Sequence, residues 1–176
     1  MREVARALTE RSGDTTTRWG FECPIDWWFW VALTGQAGGS VIEDGRITLG
    51  GEAGANAIAH WQAMVHEDRT MKPPPGRDYN AWEATNSDFL AGRVAMIWTS
   101  TAFLRYLEDN ARFRVKTAPL PDQVRRAVPT GGTFFVIPRG AGDAEREAGL
   151  TFLRWMMQPA QANHWAVSTG YMPVSE

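Results

Sequence analysis

The chain has 176 residues, 44% of them hydrophobic and 22% charged, with a formal net charge of −2. That length suits about one domain with room for a real core, and the near-neutral balance leaves no basic footprint for nucleic acid. No apolar run approaches the roughly 20 residues that a membrane-spanning helix needs. Nearly all the positive charge is arginine, with Lys72 and Lys116 the only lysines. The segment Met1-Arg2-Glu3-Val4-Ala5-Arg6 is charged and has no signal-peptide apolar core. Taken literally it predicts a cytosolic protein, although a chain cut from a longer precursor would read the same way. Cys23 is the only cysteine, which excludes an internal disulfide and CxxC chemistry. Nine tryptophans are the unusual number. Their broad apolar faces suit cores, interfaces and sugar rings, and most of them are expected in the core.

Residues 2–12 read as the end of a helix, with Val4, Ala5 and Leu8 on one face, and Ser12-Gly13-Asp14 breaks it. Thr15 to Phe21 predicts a strand. Pro24 to Leu33 follows with the run Trp27-Trp28-Phe29-Trp30, where Asp26 is placed to cap a helix ending by Gly35. Gly45 to Gly51 reads as a short strand and turn, and a helix is expected at about Ala53–Asp68. Met71 to Gly76 contains Pro73-Pro74-Pro75, a stiff extended loop. Trp82–Ala91 predicts a helix and Val94–Trp98 a buried strand. Ser100 or Thr101 then caps a helix to about Asn110. Phe113–Ala118 reads as a strand, and Gln123–Val128 as a polar loop. Glu145–Gln158 reads as an amphipathic helix with Ala148, Phe152, Trp155 and Met156 on its stripe. Ala160–Ser168 predicts a last helix stopped by Gly170, and Tyr171 to Val174 is extended. Strands interleaved with helices give an α/β domain.

The stretch Pro129-Thr130-Gly131-Gly132-Thr133-Phe134-Phe135-Val136-Ile137-Pro138 stands apart. Two glycines without side chains let a ligand or another backbone come close. Thr133 to Ile137 is β-branched or aromatic throughout, the pattern of a strand buried on both faces. The stretch fits a turn entering a core strand and a ligand-facing turn equally well.

Recognisable catalytic patterns are missing. His60, His66 and His164 are scattered, and no metal site is expected. There is no GxSxG elbow or Walker loop, and Gly35-Gln36-Ala37-Gly38-Gly39 is only a loose lookalike of a dinucleotide loop. Asp26 and Glu43 are acids with nothing in the sequence to pair them. What remains is a set of aromatics and small polar turns at expected strand ends and helix starts, where open α/β sheets bind ligands.

Four stretches together resemble the extracellular solute-binding proteins of ABC importers, in the sugar-binding group. Phe89-Leu90-Ala91-Gly92-Arg93-Val94-Ala95-Met96 resembles that family's "F…G.aAM" segment, and Thr99-Ser100-Thr101 the polar turn after it. Pro129 to Ile137 is similar to its "P..GG….v" strand. Phe152-Leu153 to Pro159-Ala160-Gln161 resembles its "A..Fl.fl.spe.Q" helix, and Ser168 to Val174 its "tGy.Pv" segment. The likeness runs from about Trp19 to the last residue, and it is nearest to the glycerol-3-phosphate and related sugar binders.

The resemblance implies one lobe of a type II periplasmic-binding-protein-like fold, with a mixed sheet flanked by helices. Residues 1–176 would form a single α/β domain, the second lobe of a two-lobed protein. The first lobe, signal peptide and far C-terminus of that family would be absent, leaving half a cleft. It further implies capture of a sugar or glycerol-phosphate-type solute and delivery to an ABC permease. The setting would be periplasmic or extracellular, free or lipid-anchored, with contact to the membrane only through the permease. No cofactor, metal or catalysis is implied. The ligand-binding positions that match are Trp27 and Trp30, Ser100 and Thr101, Gly131 and Gly132, and Tyr171. Thr101 replaces a serine but keeps the hydroxyl, and Trp28 offers a second register for the tryptophan pair. The ligand is thus open between a phosphorylated polyol and a neutral sugar. Two alternatives stand beside capture. One is a protein-interaction or self-associating domain, and the other a carbohydrate-active hydrolase using Asp26.

Overall fold

The computed structural model describes residues 1–73, 79–132 and 134–172. In chain order the elements are α1 (Arg2–Leu8), β1 (Glu10–Ser12), β2 (Thr15–Glu22), α2 (Trp27–Gln36), β3 (Ile42–Glu43), β4 (Arg46–Ile47) and α3 (Glu52–Gln62). A π-helical turn, Ala63–Glu67, prolongs α3. Then come β5 (Met71–Lys72), α4 (Tyr79–Leu90), β6 (Val94–Ile97), a 3-10 turn (Thr101–Phe103), α5 (Leu104–Asn110), α6 (Asp143–Met156) and α7 (Pro159–Thr169). This is the α/β class expected, with a mixed sheet and helices. The chain divides into two compact units. One joins residues 1–99 to 110–129; the other joins 100–109 to the described residues from 130 on.

The first unit is built on β2. Three threonines followed by Trp19 and Phe21 favour extended backbone, because branched and aromatic side chains pack well on a pleated surface. The first half of β2 pairs antiparallel with β1, its second half parallel with β5 and β6. Burial follows pairing: Thr15 is exposed, whereas Phe21, Glu22 and Cys23 are enclosed. Phe21, Phe29, Trp61, Met64, Met71 and Trp98 form the core, with Phe21 edge-on to Trp98 at 5.3 Å. Cys23 is fully enclosed in this core, and burial pushes its thiol up. Arg2 and Arg6 from α1 both bind the Asp68 carboxylate, at 2.5 and 2.9 Å, and so tie α1 to the end of the π-helical turn. Six of the nine tryptophans are wholly or partly buried; Trp27, Trp155 and Trp165 are exposed.

In the second unit α6 and α7 follow each other through Pro159, which opens α7. Gly170 closes α7 with φ +83°, a conformation that L side chains rarely adopt. A Cβ there would stand 2.8 Å from the Leu104 Cβ and 3.2 Å from the Thr101 carbonyl oxygen. The end of α7 therefore lies directly on the turn that starts α5.

Two expected strands do not form. Phe113–Ala118 pairs with no strand among the described residues; Phe113 is held instead by an edge contact with Phe89 of α4 at 5.2 Å. The stretch from Phe134 to Ile137 is likewise not a buried strand: Phe134, Phe135 and Val136 are exposed, Phe134 by 87%. β-branched and aromatic residues favour extended backbone, but a strand also needs a neighbour to complete its ladder, and none of the described residues supplies one. Phe135 makes an edge contact with Phe152 of α6, at 5.8 Å. Thr133, the start of that stretch, lies outside the described residues, as do Pro74, Pro75 and Gly76 of the proline loop and Pro173 and Val174.

Candidate functional site

Asp26 sets the start of α2. Its Oδ1 accepts from the Trp28 and Phe29 amides at 2.9 and 3.4 Å, satisfying two donors that the first helical turn leaves open. Its Oδ2 accepts from the Trp82 indole N–H of α4 at 2.7 Å. Both oxygens are therefore engaged, and Asp26 is not a free acid of the kind a hydrolase would need.

Just past this cap the tryptophans diverge. Trp27 is 64% exposed and stands edge-on to Trp28 at 5.3 Å and 76°. Trp30 turns inward: its N–H donates to the Gly54 carbonyl at 2.9 Å, and its ring lies 3.4 Å from where a Gly54 Cβ would be. Trp27 thus offers an open aromatic face, while Trp30 has spent its polar atom on α3.

The other five expected positions belong to the second unit. Ser100 Oγ accepts from the Ala102 amide at 3.2 Å and caps the 3-10 turn, while Thr101 is exposed at its first position. Tyr171 follows directly on Gly170, which packs on Thr101, and its amide donates to Thr169 Oγ1 at 3.2 Å. Ser100, Thr101 and Tyr171 are thereby brought to one corner, with Tyr171 41% exposed. Gly131 and Gly132 are exposed, and a Cβ on Gly132 would meet nothing within 4 Å.

A buried ionic cluster lies behind β2. Glu22 is fully enclosed and is the cross-strand partner of Lys72 on β5. Its Oε1 accepts from Thr85 Oγ1 at 3.3 Å; among the described residues Oε2 has no hydrogen-bond donor, only Lys72 Nζ at 3.6 Å. Lys72 also binds Asp88, which Arg93 grips from the other side at 2.5 Å. Burial pushes the Glu22 carboxyl up to about 7, with Lys72 opposing and Asp88 adding to the shift. Burial would raise Asp88 as well, but its bonds to Lys72 and Arg93 outweigh that and hold it below the usual range.

Sequence reasoning found Asp26 as a cap but missed Trp82 and the Glu22–Lys72–Asp88 cluster. A glutamate set between Phe21 and Cys23 in a buried strand was the available signal for the cluster. Nothing local marks Trp82 as the partner of a residue 56 positions away. A cleft of about 510 Å³ in the first unit, lined by Leu33, Gln36, Asn56, His60 and Trp98 among others, includes none of the expected ligand contacts.

The fold and the sequence agree with comparisons to known proteins. A search of curated proteins gives no match. Among solved structures, UgpB from Mycobacterium tuberculosis in complex with glycerophosphocholine is 20% identical, with a TM-score of 0.67 over 91% of this chain and 40% of that one. The maltose/maltodextrin-binding domain MalE from Bdellovibrio bacteriovorus, bound to maltotriose, is 18% identical with a TM-score of 0.70, over 98% of this chain and 46% of that one. Maltose-bound MalE3 of T. maritima is 15% identical with a TM-score of 0.71, over 99% of this chain and 46% of that one. At these identities the likeness speaks for the fold, and the chain spans less than half the length of each. The family model described as bacterial extracellular solute-binding protein matches residues 3–176, nearly the whole sequence. The chain belongs to the bacterial extracellular solute-binding protein family, whose members bind solutes rather than convert them.

Proposed function

We propose that this chain forms one lobe of a two-lobed binding protein that captures a sugar or a glycerol-phosphate-type solute and hands it to an ABC permease, outside the cytoplasmic membrane. The observation that carries this reading is Trp27, an aromatic face left open to solvent at the start of a capped helix. An open indole suits the apolar face of a sugar or polyol. In this reading Trp27 stacks on the ligand and Trp30 backs it. The resemblance gives the Ser100 and Thr101 hydroxyls, the Gly131 and Gly132 amides and Tyr171, all of the second unit, a ligand-binding role as well. Glycerophosphocholine, maltotriose and maltose in the related structures fit these two chemical classes.

The test is ligand-observed NMR with glycerophosphocholine, maltotriose and ribitol at millimolar concentration, because an open half-cleft excludes little water and holds ligand weakly. Saturation transfer to at least one probe, lost in Ser100→Ala/Thr101→Ala, is the expected result. No transfer to any of the three would overturn the reading. A second reading, self-association, is favoured by the exposed Phe134, Phe135 and Val136, with Phe135 in edge contact with the exposed Phe152 of α6. It predicts a concentration-dependent dimer in sedimentation velocity that none of the probes perturbs.

A further inference from the structure

We infer that Asp26 and Trp82 are positioning residues that fix the orientation of the Trp27 ring; this rests on Trp27 being the ligand platform proposed above. Trp27 has no deep anchor of its own. It is mostly exposed, and its ring meets Trp28 edge-on. What holds it is the turn that carries it. The Asp26 carboxylate ties that turn to itself through the Trp28 and Phe29 amides and to α4 through Trp82 Nε1. A donor bound to a carboxylate makes a shorter and stronger bond than one bound to a neutral group, and the 2.7 Å separation fits this.

Trp82 acts a second time. Its ring stacks on Phe29 at 5.2 Å and 28°, and Phe29 meets Trp98 at 5.7 Å. Phe29 is 1% exposed, so its ring is locked in the core. The first turn of α2 is therefore fixed at two points by one residue of α4: along the backbone through Asp26, and in rotation through Phe29. The Trp27 side chain projects from the helix surface, so any rotation of this turn turns and displaces its ring with it. The loss of a bond remote from the ligand then degrades a contact that depends on ring angle.

Two variants separate this from a plain helix cap. Trp82→Phe keeps an aromatic ring to stack on Phe29 but removes the N–H together with part of the indole. Asp26→Asn keeps one oxygen for the cap and replaces the other with a group that cannot accept from Trp82. The first readout needs no ligand: the 19F NMR line of 5-fluorotryptophan at position 27, assigned by its loss in Trp27→Phe. Both variants are expected to shift or broaden that line while the far-ultraviolet circular dichroism stays native. A Trp27 line unchanged in both overturns the inference. The second readout is affinity for whichever of glycerophosphocholine, maltotriose or ribitol binds. Trp82→Phe is expected to weaken it several-fold, with no further loss when added to Trp27→Ala. Equal weakening in the Trp27→Ala background overturns the positioning role. If Trp27→Ala alone leaves affinity unchanged, the platform reading fails, and the 19F line still decides whether Asp26 and Trp82 hold the ring.

Discussion

Glu22 should make the stability of this protein fall as the pH rises towards neutrality, and Glu22→Gln should remove that fall. The groups facing it are Lys72 on β5, Thr85 and Asp88 on α4, and Arg93 beyond Asp88. Enclosure raises the folded-state carboxyl to about 7 from an ordinary 4.5. The folded protein therefore binds this proton more tightly than the unfolded chain does. The stabilisation is complete below pH 4.5 and is lost as the pH climbs through about 7. At about 1.4 kcal/mol per pH unit, the loss is on the order of 3 kcal/mol across that window. Urea unfolding of the wild type and Glu22→Gln at pH 5, 6, 7 and 8 isolates it, because titrations remote from the cluster cancel in the difference. His60, lowered by burial, is one of these. The variant should gain on the wild type from pH 5 to pH 7 and level off towards pH 8. A constant difference across the series would show that Glu22 does not titrate there, and the account of the cluster would be wrong.

Gly170→Ala places a side chain at φ +83° and 2.8 Å from the Leu104 Cβ; thermal unfolding should show a loss of about 2 kcal/mol, and an unchanged transition would refute the packing of α7 on the α5 turn. Phe134→Ser should change stability by less than about 0.5 kcal/mol, as expected of an exposed residue; a loss of several would restore the core strand that the sequence suggested. Arg2 and Arg6 hold the Asp68 carboxyl down to about 2, so it stabilises the fold above the ordinary 3.8 and ceases to as the pH falls through about 2. Acid titration followed by circular dichroism should show Asp68→Asn with a shallower decline over that range than the wild type.

Much of the fold could be read from residue patterns. The β2 strand, the capped α2, the long α3 and α6 and the Gly170 stop all follow from local rules: branched residues for extension, Asp26 as an N-cap, and glycine at a left-handed C-terminus. Phe134–Ile137 and Phe113–Ala118 do not form the expected strands because strand propensity is local and strand pairing is not. The first stretch is as strand-like as β2, yet only β2 meets β5 and β6. The candidate site was legible to a similar degree. Resemblance picked out Trp27 and Trp30 together, and geometry separates them, since the Trp30 N–H is spent on Gly54. The bond from Trp82 to Asp26 could not be anticipated, because α2 and α4 meet only through the tertiary fold.

The central claim is that Trp27 receives a sugar-like or glycerol-phosphate-like solute. The most direct measurement is the affinity of wild type and Trp27→Ala for glycerophosphocholine and maltotriose, obtained by saturation-transfer titration with the fold monitored by circular dichroism. Stacking on an aromatic ring is worth on the order of 1 kcal/mol beyond area, so the variant should bind the preferred probe about fivefold more weakly with an unchanged spectrum. Equal affinity in the two proteins would contradict the claim.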